Sequence, residues 1–306
     1  MHVHGHAARL QADRRVLGAA AALVGGLFVV EIVAGIVAGS VALLADAGHL
    51  LTDVGAIALA LLAASMAARP PRGRFTFGFS RLEILAAQAN GIALGLVGVW
   101  IVYAAVRRLA DPPEVRGGIV LMVALVGVVV NLAATALLAR SSRESLNVRG
   151  VFLHVATDLA AFAGTAVAGA LVLATGWDRF DPIAGLVVAV LVFGSAASLL
   201  RESTRIFMEG SPGEIDPDAV GRAVVAEPHV VEVHDLHVWT VTSGFPALSA
   251  HVLVEPGADC HALRGRLESM LGERFGLRHT TLQVEHAASA RQPVELGEPF
   301  RRETPV

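Results

Sequence analysis

Apolar residues are gathered into six long runs within the first two-thirds of the chain, at 16–38, 41–68, 84–106, 119–139, 151–175 and 183–200. A hydrocarbon core of about 30 Å is crossed by roughly 20 residues of helix, so each run is long enough or nearly so. Lipid offers the backbone no hydrogen-bond partner, which makes helix the expected form of every run. The sixth run is the shortest, and Arg201 and Arg205 can extend it by snorkelling. The first is too long for a cleaved leader, and the second begins after only Gly39 and Ser40. The pattern predicts six transmembrane helices over 16–206, preceded by a short polar start at 1–15.

After residue 206 the pattern changes. Spacing at 216–226 and 262–275 is helical, the latter with Leu263, Leu267, Met270 and Leu271 on one stripe. Segments 230–241, 247–255 and 280–286 alternate and are rich in β-branched residues. The order α-β-β-α-β over 207–288 predicts a small α+β domain, a sheet with two helices on one face. Residues 289–306, with prolines and scattered charge, read as a disordered tail.

Composition supports this division. Of 306 residues, 17% are charged and 54% apolar, and the mean hydropathy of +0.62 excludes a uniformly soluble globule. The single cysteine, Cys260, excludes an internal disulfide framework and any Cys-rich zinc or iron–sulfur cage. A formal charge of −3 gives no support to nucleic-acid binding. Basic residues concentrate in the start and in the connections at 69–81, 140–149 and 201–206. The opposite connections hold Arg107, Arg108, Arg116 and Arg179. The positive-inside rule therefore places both termini in the cytosol, with Trp100, Tyr103 and Trp177 as an aromatic belt at the outer interface.

Ionisable groups inside such runs are costly and point to function. The second run contains Asp46, His49 and Asp53, the fifth His154 and Asp158, the first Glu31, and the fourth carries Asn131. His49 and Asp53 are four apart, as are His154 and Asp158, so each couple lies on one helix face, one turn apart. Two such helices facing one another offer two imidazoles and two carboxylates to one point, a set suited to tetrahedral Zn2+. Carboxylates alone would suit Mn2+ and thiolates Cu(I), while Cd2+ and Co2+ remain competitors. For a single couple a structural hydrogen bond between helices is an equal reading; duplication in two runs favours metal. Asp46 shares the face of His49 and Asp53, and either ligates, caps the entrance or bonds to backbone. Glu31 and Asn131 read as pathway or packing residues.

Such ligands must lose protons to bind metal, so zinc and H+ compete for them. A site facing two compartments in turn would then exchange one for the other, and imidazole titrates in the useful range. The His-Glu-x-x-His pattern of zinc hydrolases is absent, and four protein ligands leave no open position for water. The expectation is a transporter and not an enzyme. The alternatives are a membrane metal sensor without transport and an intramembrane zinc enzyme.

The chain resembles the cation diffusion facilitators, in particular their zinc-exporting branch. The matching segments are Ser40-Val-Ala-Leu-Leu-Ala-Asp-Ala-Gly-His49-Leu-Leu-Thr-Asp53, Phe77-Gly-Phe-Ser-Arg-Leu-Glu83 and Ser145-Leu-Asn-Val-Arg-Gly-Val-Phe-Leu-His154-Val-Ala-Thr-Asp158. Asp181-Pro-Ile-Ala-Gly and Val233-His-Asp-Leu-His-Val-Trp239 complete the set. The resemblance implies six transmembrane helices and a cytosolic, ferredoxin- or metallochaperone-like domain. It also implies a homodimer exchanging Zn2+ for H+ at His49, Asp53, His154 and Asp158. Two departures stand out. Many relatives carry Tyr and His where this chain has Phe79 and Ser80, and the connection 69–74 offers no metal ligand. The connection 140–149 lacks the His-rich tract of many eukaryotic members, which favours a bacterial inner-membrane exporter.

The soluble region contributes His234, His237, His251, His261, His279, Glu285 and His286, with Asp235 nearby. The resemblance favours His234, His251, His261 and Glu285 as a regulatory zinc site, against ordinary surface histidines. His2, His4 and His6 either collect metal at the cytosolic entrance or form a dispensable start. The expected ligands are divalent metal ions and protons, the expected partners lipid and a second copy of the chain. Neither an organic cofactor nor nucleic acid is expected.

Overall fold

The computed structural model describes residues 22–23, 25–67, 69–141, 148–287 and 300–301. Six apolar helices come first among them: α1 (Gly25–Ala38), then α2 (Val41–Ala67), α3 (Leu82–Ala110), α4 (Gly117–Ser141), α5 (Val148–Thr175) and α6 (Phe180–Phe207). α2, α3, Asp158–Thr175 of α5 and α6 are long and apolar enough to cross a membrane. Gly25–Ala38 and Gly117–Ala133 are apolar but shorter. The sixth helix outlasts its apolar run, because leaving the lipid changes which side chains are favoured and not the backbone ladder. Between α1 and α2, Gly39 takes φ +67°, the left-handed conformation that closes a helix and suits glycine.

Two sets of residues pack as separate bodies: Met1–Ala60 with Ala87–Leu200, and Leu61–Ala86 with Arg201–Val306. In the first, a core of Ala45 (α2), Leu94 and Ile101 (α3), Ala161 (α5) and Val188, Ala189, Val192 and Ala196 (α6) is rich in small residues. Small side chains let helix backbones approach where no hydrophobic effect drives them together. The approach is closest between α4 and α5. A Cβ on Gly117 would stand 2.7 Å from the Gly169 carbonyl oxygen, one on Gly169 would stand 2.7 Å from the Leu121 nitrogen, and one on Gly127 would enter the Phe162 ring. Val29, Leu96, Met122, Leu173 and Val190 lie exposed on the outside, as lipid-facing residues should.

The second body joins the α2–α3 connection to the C-terminal domain. The Thr242 hydroxyl bonds to the Ser80 carbonyl at 3.0 Å and to Glu83 Oε2 at 3.1 Å. Arg81 pairs with Glu209 at 3.2 Å. The Phe77 and Phe245 rings meet His279 edge-on, at 6.1 and 5.3 Å between centroids.

The domain follows the expected order: α7 (Pro217–Val225), β1 (Val230–Thr242), β2 (Phe245–Val254), α8 (Cys260–Phe275) and β3 (His279–His286). Asp216 caps α7 with Pro217 behind it, and Asp259 caps α8, which closes on Gly276 at φ +70°. β1 and β2 are antiparallel, and β2 and β3 are parallel with α8 crossing between them. Val220 and Val224 of α7 and Leu263, Leu267 and Leu271 of α8 pack on Val233, Leu248, Val252 and Val254 of the sheet.

The disordered tail expected at 289–306 is corrected at one point. Phe300–Arg301 forms a fourth strand, β4, antiparallel to β1, with Val233 opposite Phe300. The Phe300 ring fills the hollow left by Gly221, which has no side chain. A lone aromatic in a polar segment gives no periodic signal of this. The other positions of 289–306, and the start 1–15 with His2, His4 and His6, lie outside the described residues.

Candidate metal site

The helix that carries Asp46, His49 and Asp53 is fixed at its first residue. Ser40 Oγ accepts from the Leu43 N–H at 3.1 Å, an N-cap, and donates to Asp181 Oδ1 from the start of α6. Asp181, fully buried, also accepts from the Val41 N–H at 2.6 Å and the Ala42 N–H at 3.4 Å. The carboxylate thus satisfies helix-end donors that would otherwise be orphaned. In the sequence Asp181 stands within a motif and shows no role of its own.

Two turns into α2, His49 Nε2 lies 3.3 Å from Asp158 Oδ1 on α5. Both residues are buried. The other oxygen of Asp158 accepts from Asn131 Nδ2 on α4 at 3.1 Å. The backbone carbonyl of His49 accepts from Thr52 Oγ1 at 2.6 Å. Asp46 is held by Thr165 Oγ1 of α5 at 2.9 Å, a partner nothing in the sequence marks. Glu31 of α1 is buried without a hydrogen bond to either carboxylate oxygen. Asp53 lies on α2 one turn beyond His49, and His154 on α5 one turn before Asp158; their side chains are outside those described. Of the four expected transport ligands, the two described side chains therefore meet across helices.

The C-terminal domain holds a second cluster. His234 on β1 and His251 on β2 are direct register partners, with rings 5.4 Å apart and edge-on. In a regular strand Asp235 would point away from His234. A register shift between His234 and His237, with Asp235 at φ +49°, reverses this. Asp235 Oδ2 comes 3.8 Å from His251 Nδ1, and His234, Asp235 and His251 offer ligand atoms within 4.8 Å of one another. His261 and Glu285 do not join them. His261 is exposed in the first turn of α8, its N–H donated to Asp259. Glu285 sits opposite Leu253 on β3 and accepts from Gln283. The Ala262 N–H chiefly, opposed by partial desolvation and helped by the His261 N–H, holds the Asp259 carboxyl below its ordinary pKa.

A membrane helix bundle with an imidazole and a carboxylate meeting in its interior, joined to a small α+β domain, has the make-up of a metal-ion transporter. Residues 17–208 match the family profile described as "Cation efflux transmembrane domain", and 212–287 that described as "Cation efflux protein, cytoplasmic domain". The zinc transporter ZitB of Escherichia coli (strain K12) is 40% identical over 93% of this chain and 92% of its own length. CzcD of Cupriavidus metallidurans, a metal cation efflux system protein, is 36% identical over 94% and 90%. The cadmium, cobalt and zinc/H(+)-K(+) antiporter of Bacillus subtilis (strain 168) is 34% identical over 96% of both chains. A solved metal-bound C-terminal domain of CzcD aligns at 33% identity with 23% of this chain and 99% of that one, with a TM-score of 0.23. The chain belongs to the cation efflux family, the cation diffusion facilitators, on the branch that holds these zinc transporters. It is a membrane transporter and not an enzyme.

Proposed function

We propose that this protein exports Zn2+ from the cytosol in exchange for protons, through a transport site of His49, Asp53, His154 and Asp158. The observation that carries the reading is the 3.3 Å approach of His49 Nε2 to Asp158 Oδ1 between two buried helices. A proton bridging nitrogen and oxygen at this distance occupies the place a divalent ion would take, so loading one expels the other. Asn131 holds Asp158 by its second oxygen, the kind of outer contact that orients a ligand. The nitrogen and oxygen donors favour Zn2+ and admit Cd2+ and Co2+. The names of the relatives, which include zinc, cadmium, cobalt and protons, agree with this.

The protein then works as a homodimer in a bacterial inner membrane, with both termini cytosolic, a reading that the distribution of arginines supports. His234, Asp235 and His251 form a regulatory zinc site on the soluble domain, their two nitrogens and one oxygen fitting a divalent ion. Its occupancy biases transport to the extent that zinc binds one conformation more tightly than the other.

The test is zinc uptake by inside-out vesicles or proteoliposomes under an imposed pH gradient, repeated with Cd2+ and Co2+. His49→Ala or Asp158→Ala abolishes uptake while the protein stays folded. Unchanged uptake in both variants ends the assignment.

A further inference from the structure

Glu31 is the acid of the bundle that the transport site leaves without a task. It sits midway along α1 with no exposed surface, and neither carboxylate oxygen is hydrogen-bonded. α1 packs against α2, α4, α5 and, through Phe180, α6. α2 brings Asp46, the charged group that acts on Glu31. α4 carries no acid or base along its apolar stretch. α5 brings Asp158, bonded to His49 and Asn131, and α6 brings Asp181, bonded to Ser40 and Val41. Asp46 in turn feels His49, Asp158 and Asp181, and one of its oxygens is held by Thr165. Among the described residues no basic side chain balances Glu31.

A carboxylate sealed from water beside a second one needs a positive charge with it, either a proton on its own oxygen or a cation between the two. A packing role would be met equally well by Gln, Met or Leu, none of which incurs that cost. The donors are all oxygen, unlike the imidazole-containing transport site. We infer that Glu31, buried without a hydrogen bond and within electrostatic reach of Asp46, carries an exchangeable proton at a site separate from the four metal ligands, and that this proton couples zinc movement to the pH gradient. The inference rests on the export reading above.

When Zn2+ enters the transport site from the cytosol, the O–H bond of the Glu31 carboxyl breaks and the proton passes to water on the cytosolic side. The carboxylate left behind is balanced by the nearby dication. When zinc leaves, a proton from the far compartment re-forms the bond. Each zinc thus moves one proton through Glu31, in addition to any displaced from the imidazoles.

The test uses the full chain in proteoliposomes, with a zinc indicator and a pH dye inside. Glu31→Gln reproduces the protonated shape without an exchangeable acid. It is expected to bind Zn2+ within about threefold of the unaltered protein and to retain zinc-for-zinc exchange at zero gradient. Accumulation driven by a pH gradient falls by about tenfold or more, and protons moved per zinc fall by about one. Glu31→Asp restores both. Gradient-driven accumulation unchanged in Glu31→Gln overturns the inference, as does a parallel loss of zinc binding, which would mark a structural role. Loss of a K+ dependence with proton counterflow intact also overturns it. Absence of zinc flux in the unaltered protein refutes the export reading, and the inference with it.

Discussion

Asp181→Ala tests the anchor of the metal-bearing helix directly. The substitution deletes the bond from Ser40 Oγ, the 2.6 Å bond from the Val41 N–H and the longer one from the Ala42 N–H. A hydrogen bond to a charged acceptor contributes about 1.5–3 kcal/mol, so losing the two short ones costs about 3–6 kcal/mol. The attraction of Arg108, whose guanidinium holds the Gly39 carbonyl, is lost with them. Asp181→Asn keeps one carbonyl oxygen and should cost about half as much, roughly 2 kcal/mol. In a double-mutant cycle with Ser40→Ala, the coupling should reach about 1–2 kcal/mol. Denaturant titration in mild detergent, followed by tryptophan fluorescence, measures these values. Trp177 packs edge-on against Phe180 at 4.7 Å, next to Asp181, and reports the change locally. Trp239 belongs to the other body and serves as the internal control. A loss below about 1 kcal/mol for Asp181→Ala, or a coupling of zero, refutes the clamp.

Three further outcomes follow from other contacts. Asn131→Leu removes the amide that holds Asp158 and should weaken zinc binding by about 10–100-fold in chelator competition; unchanged affinity would deny Asn131 an orienting role. Phe300→Ala empties the hollow over Gly221 and should cost about 2–3 kcal/mol, read from Trp239 fluorescence during unfolding. An unaffected transition would show that β4 contributes nothing to the domain. Asp259→Asn concerns pH. The folded pKa of Asp259 is depressed, so its charge contributes stability that is present above the unfolded pKa. That contribution is lost as pH falls through the folded value. The difference in melting between the unaltered chain and Asp259→Asn should therefore be full at neutral pH and shrink below the ordinary carboxylate range. A gap constant with pH would contradict the charged cap.

The helical bundle is legible in the sequence because lipid penalises polar groups so heavily that a long apolar run has little choice but to be a buried or spanning helix. His49 and Asp158 are legible for the same reason, as ionisable groups where ionisable groups are costly. Spacing places each couple on one face of its own helix. It does not reveal that His49 meets Asp158 directly, nor that the Thr165 hydroxyl, set in the apolar second half of α5, holds Asp46. Asp235 is obscured by a local exception: strict alternation turns it away from His234, and only the bulge brings the two together. The grouping of Leu61–Ala86 with the soluble domain depends on contacts such as Thr242 to Ser80, which join residues far apart in the chain. Periodicity describes an element by itself. It carries no information about a partner 140 positions away, which is why Asp181 stands in a motif without a visible purpose.

The glycines between α4 and α5 bear on the metal chemistry from a distance. Gly117, Gly127 and Gly169 leave no room for a methyl group, and packing this close favours movement of the two helices as one unit. Asn131 rides on one arm and Asp158 on the other, so their bond travels with the hairpin and does not stretch. Any shift of that unit is felt where Asp158 meets His49 on α2, and a single methyl added at Gly117 or Gly169 would be transmitted there as displacement.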